Sequence, residues 1–181
     1  VINPDRVRAA CFVYDAKGQE VARYDKIHLF DVDVKDAHGS YRESDHFEAG
    51  DAVVVVDTPI GKLGLTTCYD LRFAELHMAL VAKGAEVISN GAAFTSTTGA
   101  AHWHSLLRAR AIETQCYTLA AAQGGQHGKR ETYGHSMIID PWGEILQEMQ
   151  LGDGYCTAEI NLDYVKQVRQ RMPVAMHRKL I

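Results

Sequence analysis

The spacing of apolar residues changes at Cys68, and that switch limits the architectures open to this chain. Before it, residues 52–57 and 61–67 are apolar or alternating runs around a turn at Thr58-Pro59, as paired strands are. After it, Phe73, Leu76, Leu80 and Val81 recur near the helical period of 3.6, and Gly84 offers a stop after Lys83. A strand over 85–89 follows. A helix over 100–115, with Trp103, Leu106, Leu107 and Ile112 as its buried stripe, then leads into a core strand over 116–122. Strands that alternate with helices need a sheet with helices packed on it. The flanks pair instead: residues 7–14 and 20–24 form a hairpin around a polar turn, and Asp140-Pro141-Trp142-Gly143 is a type I turn joining strands over 133–140 and 144–149. A last strand is expected over 155–160, with Asn161 capping a closing helix over 162–170. The fold class is therefore α/β, a mixed layered sandwich.

Composition narrows the function. The chain has 181 residues, 46% of them hydrophobic, with no repeat or linker, so residues 1–181 read as a single domain. A net charge of −4 argues against the basic surface of a nucleic-acid binder. No apolar run reaches the roughly 20 residues of a membrane span. Cys11, Cys68, Cys116 and Cys156 include no C-x-x-C pair, which fits a reducing, cytoplasmic setting and buried hydrophobe roles for three of them.

Cys68 is different, because it stands where a strand gives way to a helix. A thiol there has a helix N-terminus close by and free backbone N–H groups to hold an oxyanion. His77 is too far along the same helix, roughly 12 Å, to act as its base. His135 and Ser136 are strand neighbours and point apart. His102 and His104 lie about 200° apart around a helix, which is wrong for a shared zinc, and no metal site is expected. Residues 124–129 lack the Walker pattern, since Gln123 and Arg130 stand where Gly and Ser or Thr are required. Lys26, at the end of a strand, and Glu43, in a polar loop over 31–51, are ordinary residues when taken singly.

Taken in order, three segments resemble the nitrilase superfamily of carbon–nitrogen hydrolases. Tyr24-Asp25-Lys26-Ile27-His28-Leu29-Phe30-Asp31 is similar to its lysine motif, Arg42-Glu43-Ser44 before Ala49-Gly50 to its second-glutamate loop, and Cys68-Tyr69-Asp70-Leu71-Arg72-Phe73 to its cysteine elbow. Residues 98–103, 107–113, 120–123, 132–137 and 140–143 resemble the Nit branch, which acts on deaminated glutathione. The resemblance implies a four-layer α-β-β-α sandwich, no cofactor and a Glu-Lys-Cys catalytic set. It makes Cys68 the nucleophile, Lys26 and the Tyr69 N–H the oxyanion partners, and Glu43 the group that positions lysine and substrate. Arg72, Phe94, Thr95, His127, Arg130 and Tyr133 are candidates for the substrate pocket, Arg72 having a buried carboxylate partner as its alternative. The family's base glutamate precedes its lysine after a first strand and helix. None of the 25 residues before Lys26 matches that motif, so the resemblance implies an N-terminally incomplete domain. The expected activity is hydrolysis of a small ω-amide by a homodimer. Alternatives are an ω-amidase for α-ketoglutaramate, a non-catalytic assembly subunit, and a thiol redox sensor at Cys68.

Overall fold

A computed structural model describes residues 5–36 and 39–179. The elements in chain order are β1 (Ala10–Tyr14), β2 (Glu20–Asp25), β3 (Asp31–Asp33), β4 (Ser40–Arg42), β5 (Val55–Thr58), β6 (Gly61–Thr67), α1 (Ala74–Ala82), β7 (Val87–Ala92), α2 (Ser96–Thr114), β8 (Tyr117–Ala122), β9 (Gly124–His127), β10 (Arg130–Tyr133), β11 (Met137–Ile139), β12 (Ile145–Glu148), α3 (Leu162–Arg171) and α4 (Val174–His177). Six strands form one sheet in the order β12-β11-β8-β7-β6-β5. Its centre, β6-β7-β8, is parallel, and the flanking pairs are antiparallel. The period switch at Cys68 is thus the first crossover of a parallel sheet, which needs a helix to carry the chain back.

Adjacent residues on a strand face opposite ways, and both faces of this sheet are used. Ile88 packs with Leu80 of α1, while Ala120, Met137 and Ile139 pack with Trp103 and Leu107 of α2. On the other face Val87 and Tyr117 pack against Val165 of α3. The β1–β2 hairpin lies on this second side, with Cys11 sharing a cavity with Ser89 and Leu119. Trp103, Leu107 and Ile139 are fully buried, and each such side chain contributes about 1.5–3 kcal/mol through removal from water. The α/β sandwich expected from the sequence is the architecture present.

Several local expectations need correction. The helix expected from residue 100 starts at Ser96, because the Thr95 side chain accepts from Thr98 N–H and caps it four residues earlier. The polar loop over 31–51 contains the β3–β4 hairpin and a 3-10 turn over Glu43–Asp45; its residues 37 and 38 lie outside the described ones. The Gly-rich stretch over 123–132 is a two-stranded ribbon, β9 with β10. The strand expected over 133–140 is broken at His135, whose φ of 61° leaves the extended region, so only Met137–Ile139 joins the sheet. Residues 155–160 form no strand. Asn161 does cap α3, accepting from the N–H groups of Asp163 and Tyr164, and Gly143 N–H closes its turn onto Asp140 O.

His77 is the buried surprise of α1. It is 1% exposed, and its Nδ1–H donates to Phe73 O at 2.9 Å. Burial pushes its pKa down from 6.5 to about 4, so the folded state holds it neutral. The unfolded chain takes up this proton first on acidification. Stability is therefore fully present above pH 6.5 and lost as pH falls toward 4, by about 3 kcal/mol at the limit. Urea denaturation of a His77→Phe variant between these pH values should lose this part of the slope; an unchanged slope contradicts the assignment.

Candidate active site

The residues singled out by sequence meet at the C-terminal ends of the parallel strands, where α/β sheets place their ligand crevices. Cys68 directly follows β6, and Ala92-Ala93 sit at and just after the end of β7. Cys68 has φ 50°, a left-handed value that costs a non-glycine residue about 1–3 kcal/mol. The turn is held by its neighbours: Asp70 accepts from Thr67 N–H at 2.9 Å, in a reciprocal cap. A correction concerns the helix expected to start at Cys68. Residues Cys68–Arg72 form a 3-10 turn, Phe73 is extended, and α1 begins only at Ala74, so no long helix points its N-terminus at the sulfur. The positive charge near the thiol comes from Lys26 instead.

Lys26 follows β2 and is almost fully buried; its Nζ lies 2.5 Å from Glu43 Oε2. Two contacts fix the chain there, Lys26 N–H to Ala9 O and Gly50 N–H to Lys26 O, both 2.8 Å. Gly50 must be glycine, since a Cβ would stand 2.2 Å from Asp25 O. Glu43 Oε2 also accepts from Phe30 N–H at 2.6 Å, which orients the carboxylate toward the lysine. Lys26, Glu43, Cys68 and Arg130 all line one cavity of about 460 Å³, with Phe30, Tyr41 and Phe47 among its apolar walls.

The thiol feels opposing influences. Burial pushes its pKa up, while Lys26 and the Ala93 N–H pull it down and Glu43 pushes it up again; the net shift is upward. A thiol held neutral in this way needs a base to become a thiolate. Among the described residues Glu43 is the carboxylate lining the cavity, and it is already bonded to Lys26 and Phe30.

The other candidates divide. Tyr69, Arg72, Phe94, Thr95 and Arg130 line a smaller pocket that adjoins Cys68. Arg72 stacks over Tyr69 at 5.7 Å and Phe94 at 5.2 Å and contacts His102 Nδ1 at 3.2 Å. The buried carboxylate offered as its alternative partner is absent among the described residues. Arg130 donates to Ala93 O and lies 5.6 Å over the Tyr41 ring, and its buried Nε has no hydrogen bond. His127 and Tyr133 lie outside the residues lining both pockets; the first contacts Thr132 Oγ1 at 3.1 Å and the second stacks on His135. His135 and Ser136 also stay apart, since the imidazole meets Glu148 and the hydroxyl meets the Ala122 backbone.

Sequence inspection missed Asp70, which joins the two halves of the site. Fully buried, it accepts from Tyr24 Oη–H at 2.6 Å and from His28 N–H at 3.1 Å, and meets His28 Nδ1 at 2.7 Å. Tyr24 and His28 bracket Lys26, so one carboxylate locks the lysine segment to the cysteine turn. The spacing Tyr24-x-x-x-His28 opposite a carboxylate two residues after the cysteine is the signal available in the sequence.

The profile of the carbon-nitrogen hydrolase family matches residues 3–170. The chain belongs to this family. It is 51% identical over 180 residues to the deaminated glutathione amidase of Yersinia enterocolitica, covering 99% of this chain and 63% of that protein. The human deaminated glutathione amidase is 50% identical over 167 residues, 91% of this chain and 51% of the relative. The chain thus spans roughly half to two thirds of the length of these relatives. Among solved structures, the NitFhit protein of C. elegans superposes with a TM-score of 0.87 at 42% identity, over 98% of this chain and 44% of that one. An amidase of Nesterenkonia sp. AN1, carrying the acetamide moiety of fluoroacetamide covalently on its active site cysteine, gives 0.73 at 26% identity over 84% of this chain and 55% of its own. As a member of the carbon–nitrogen hydrolase family, the chain has the nitrilase-like fold that its sheet order and helices display.

Proposed function

We propose that this chain carries the nucleophile half of an amidase site that hydrolyses the terminal amide of a small ω-amide acid of the deaminated glutathione type. One observation carries the reading: Cys68, Lys26 and Glu43, from three separate segments, converge on one cavity with the lysine held by the glutamate and aimed at the thiol's surroundings. In this reading the Cys68 thiolate attacks the amide carbon, and the developing oxyanion is held by Lys26 and the Tyr69 N–H. The C–N bond breaks, ammonia leaves with a proton from the base, and a thioester remains. Water, activated by the same base, then releases the carboxylate and restores the thiol. Glu43, the carboxylate lining the cavity among the described residues, is committed to Lys26 and Phe30 and is not that base.

Arg72 and Arg130 border the adjoining pocket without a carboxylate partner among the described residues, which supports an anionic substrate. Ammonia release by the full-length protein from deaminated glutathione and from α-ketoglutaramate tests the substrate choice. A higher kcat/KM for the first is expected; a higher value for the second assigns an ω-amidase, and release from neither overturns the reading.

No helix among the described residues is long and apolar enough to cross a membrane. Four unpaired cysteines support a reducing, cytoplasmic setting, and four reactive thiols in the denatured protein as isolated are expected; two or fewer would contradict it. We extend the reading to a homodimer. Sedimentation velocity should return twice the mass of the chain, and the mass of one chain at all concentrations excludes the dimer.

A further inference from the structure

A second group of reactive side chains lies apart from the cavity that holds Cys68. His104 on α2, His135 in the turn before β11 and Glu148 at the end of β12 bring their ligand atoms within 4.8 Å of one another. His104 Nε2 stands 2.9 Å, and His135 Nδ1 2.6 Å, from the same oxygen, Glu148 Oε1. We propose that His104, His135 and Glu148 form a binding site for a divalent transition-metal ion, with zinc the ion that fits best.

The donor chemistry supports this first. Two imidazoles and a carboxylate are borderline ligands suited to zinc and unsuited to calcium or magnesium, which take oxygen. Geometry agrees. A tetrahedral ion with bonds of about 2.0–2.1 Å spaces its ligand atoms roughly 3.3 Å apart. The edges of 2.9 and 2.6 Å open by about 0.4 and 0.7 Å to reach that spacing, and the third edge is within 4.8 Å, all within reach of side-chain rotation. The side chains are 34%, 20% and 28% exposed, which leaves the fourth position to water.

The cradle is also braced from outside. His135 has φ 61°, and this conformation turns its ring toward Glu148. Its N–H donates to Gln150 O at 2.9 Å, and its carbonyl accepts from Trp103 Nε1–H at 2.8 Å. The ring stacks on Tyr133 at 4.1 Å and 22°, and Tyr133 in turn lies on Gly99 of α2. His104 meets both rings edge-on, at 5.4 Å from His135 and 6.0 Å from Tyr133. Burial works against the Glu148 carboxylate, but its hydrogen bonds from both imidazoles outweigh this and keep it ionised below the usual carboxylate range. Metal entry requires each imidazole to turn a lone pair where it now donates a proton. Neutral histidine does so by moving its proton to the other ring nitrogen. The spacing that excludes a His102–His104 pair still holds, since His104 finds its partners on other elements.

Cobalt(II) titration of the full chain carrying Cys68→Ser tests the proposal without the nucleophile as a competing ligand. One equivalent should bind with visible d–d absorption and no thiolate-to-cobalt charge transfer, and zinc should displace it. Loss of an outer-sphere partner already costs about 10–100-fold in metal affinity, so His104→Gln and Glu148→Gln should each cost at least that much. Circular dichroism of the metal-free variants checks that they fold, and if one fails the other decides. The proposal falls if neither metal binds up to about 1 mM, if a thiolate band shows cysteine ligation, or if a folded variant keeps its affinity. None of these outcomes depends on amidase activity.

Discussion

Replacing Cys68 with alanine in the full-length protein is expected to lower ammonia release from deaminated glutathione by about 10⁴-fold or more, to the rate without protein. The thermal midpoint should move by no more than a few degrees, because the side chain is only partly buried and alanine keeps the same backbone position. The size of the effect follows from the chemistry: without sulfur no thioester forms, and the oxyanion partners have nothing to stabilise. Lys26→Gln should cost less, about 10²–10³-fold, the usual loss for one oxyanion donor. That variant also removes the charge that draws the thiol downward, so its activity should need a higher pH. A Cys68→Ala protein that still turns over the amide would place the chemistry elsewhere.

Asp70→Ala is the second large expectation, and its effect is on stability as well as rate. The side chain is fully buried and anchors Tyr24, His28 and the Thr67 N–H; removal leaves those polar groups unpaired and should destabilise by about 3 kcal/mol or more. The lysine segment is then free to shift against the cysteine turn. A misplacement of about 1 Å can cost 10²-fold in rate, so kcat should fall by about that factor in whatever folded protein remains. Asp70→Asn keeps the acceptor oxygen and should recover part of both losses. Equal denaturation midpoints for wild type and Asp70→Ala would refute the bracing role.

The change from strand runs to the 3.6 period around residues 61–122 was readable in the sequence because those elements are long and well buried. Shorter pieces were not. β3–β4 and β9–β10 have three or four residues per strand and little burial contrast, so their pairing is set by tertiary contacts such as Asp31 Oδ1 with Ser44 N–H. Residues 155–160 alternate like a strand, yet Tyr155 is 85% exposed and no strand among the described residues pairs there. Lys26, Glu43 and Cys68 were visible only as an ordered set of motifs; individually each is ordinary. Asp70 escaped notice because an aspartate one turn into a helix looks like a cap, and its partners are 42 and 46 residues away. The His104–His135–Glu148 group escaped for the same reason, since helical spacing describes only partners on one helix.

The central claim is that Cys68 forms a thioester with the acyl part of a small amide. Intact-mass spectrometry of acid-quenched protein, after incubation with deaminated glutathione at alkaline pH where the thiolate forms without help, tests this directly. The account predicts a mass increase equal to the substrate less ammonia, located on the peptide containing Cys68 and absent from Cys68→Ser. An adduct on Cys11 or Cys156 instead, or no adduct at saturating amide, would contradict it.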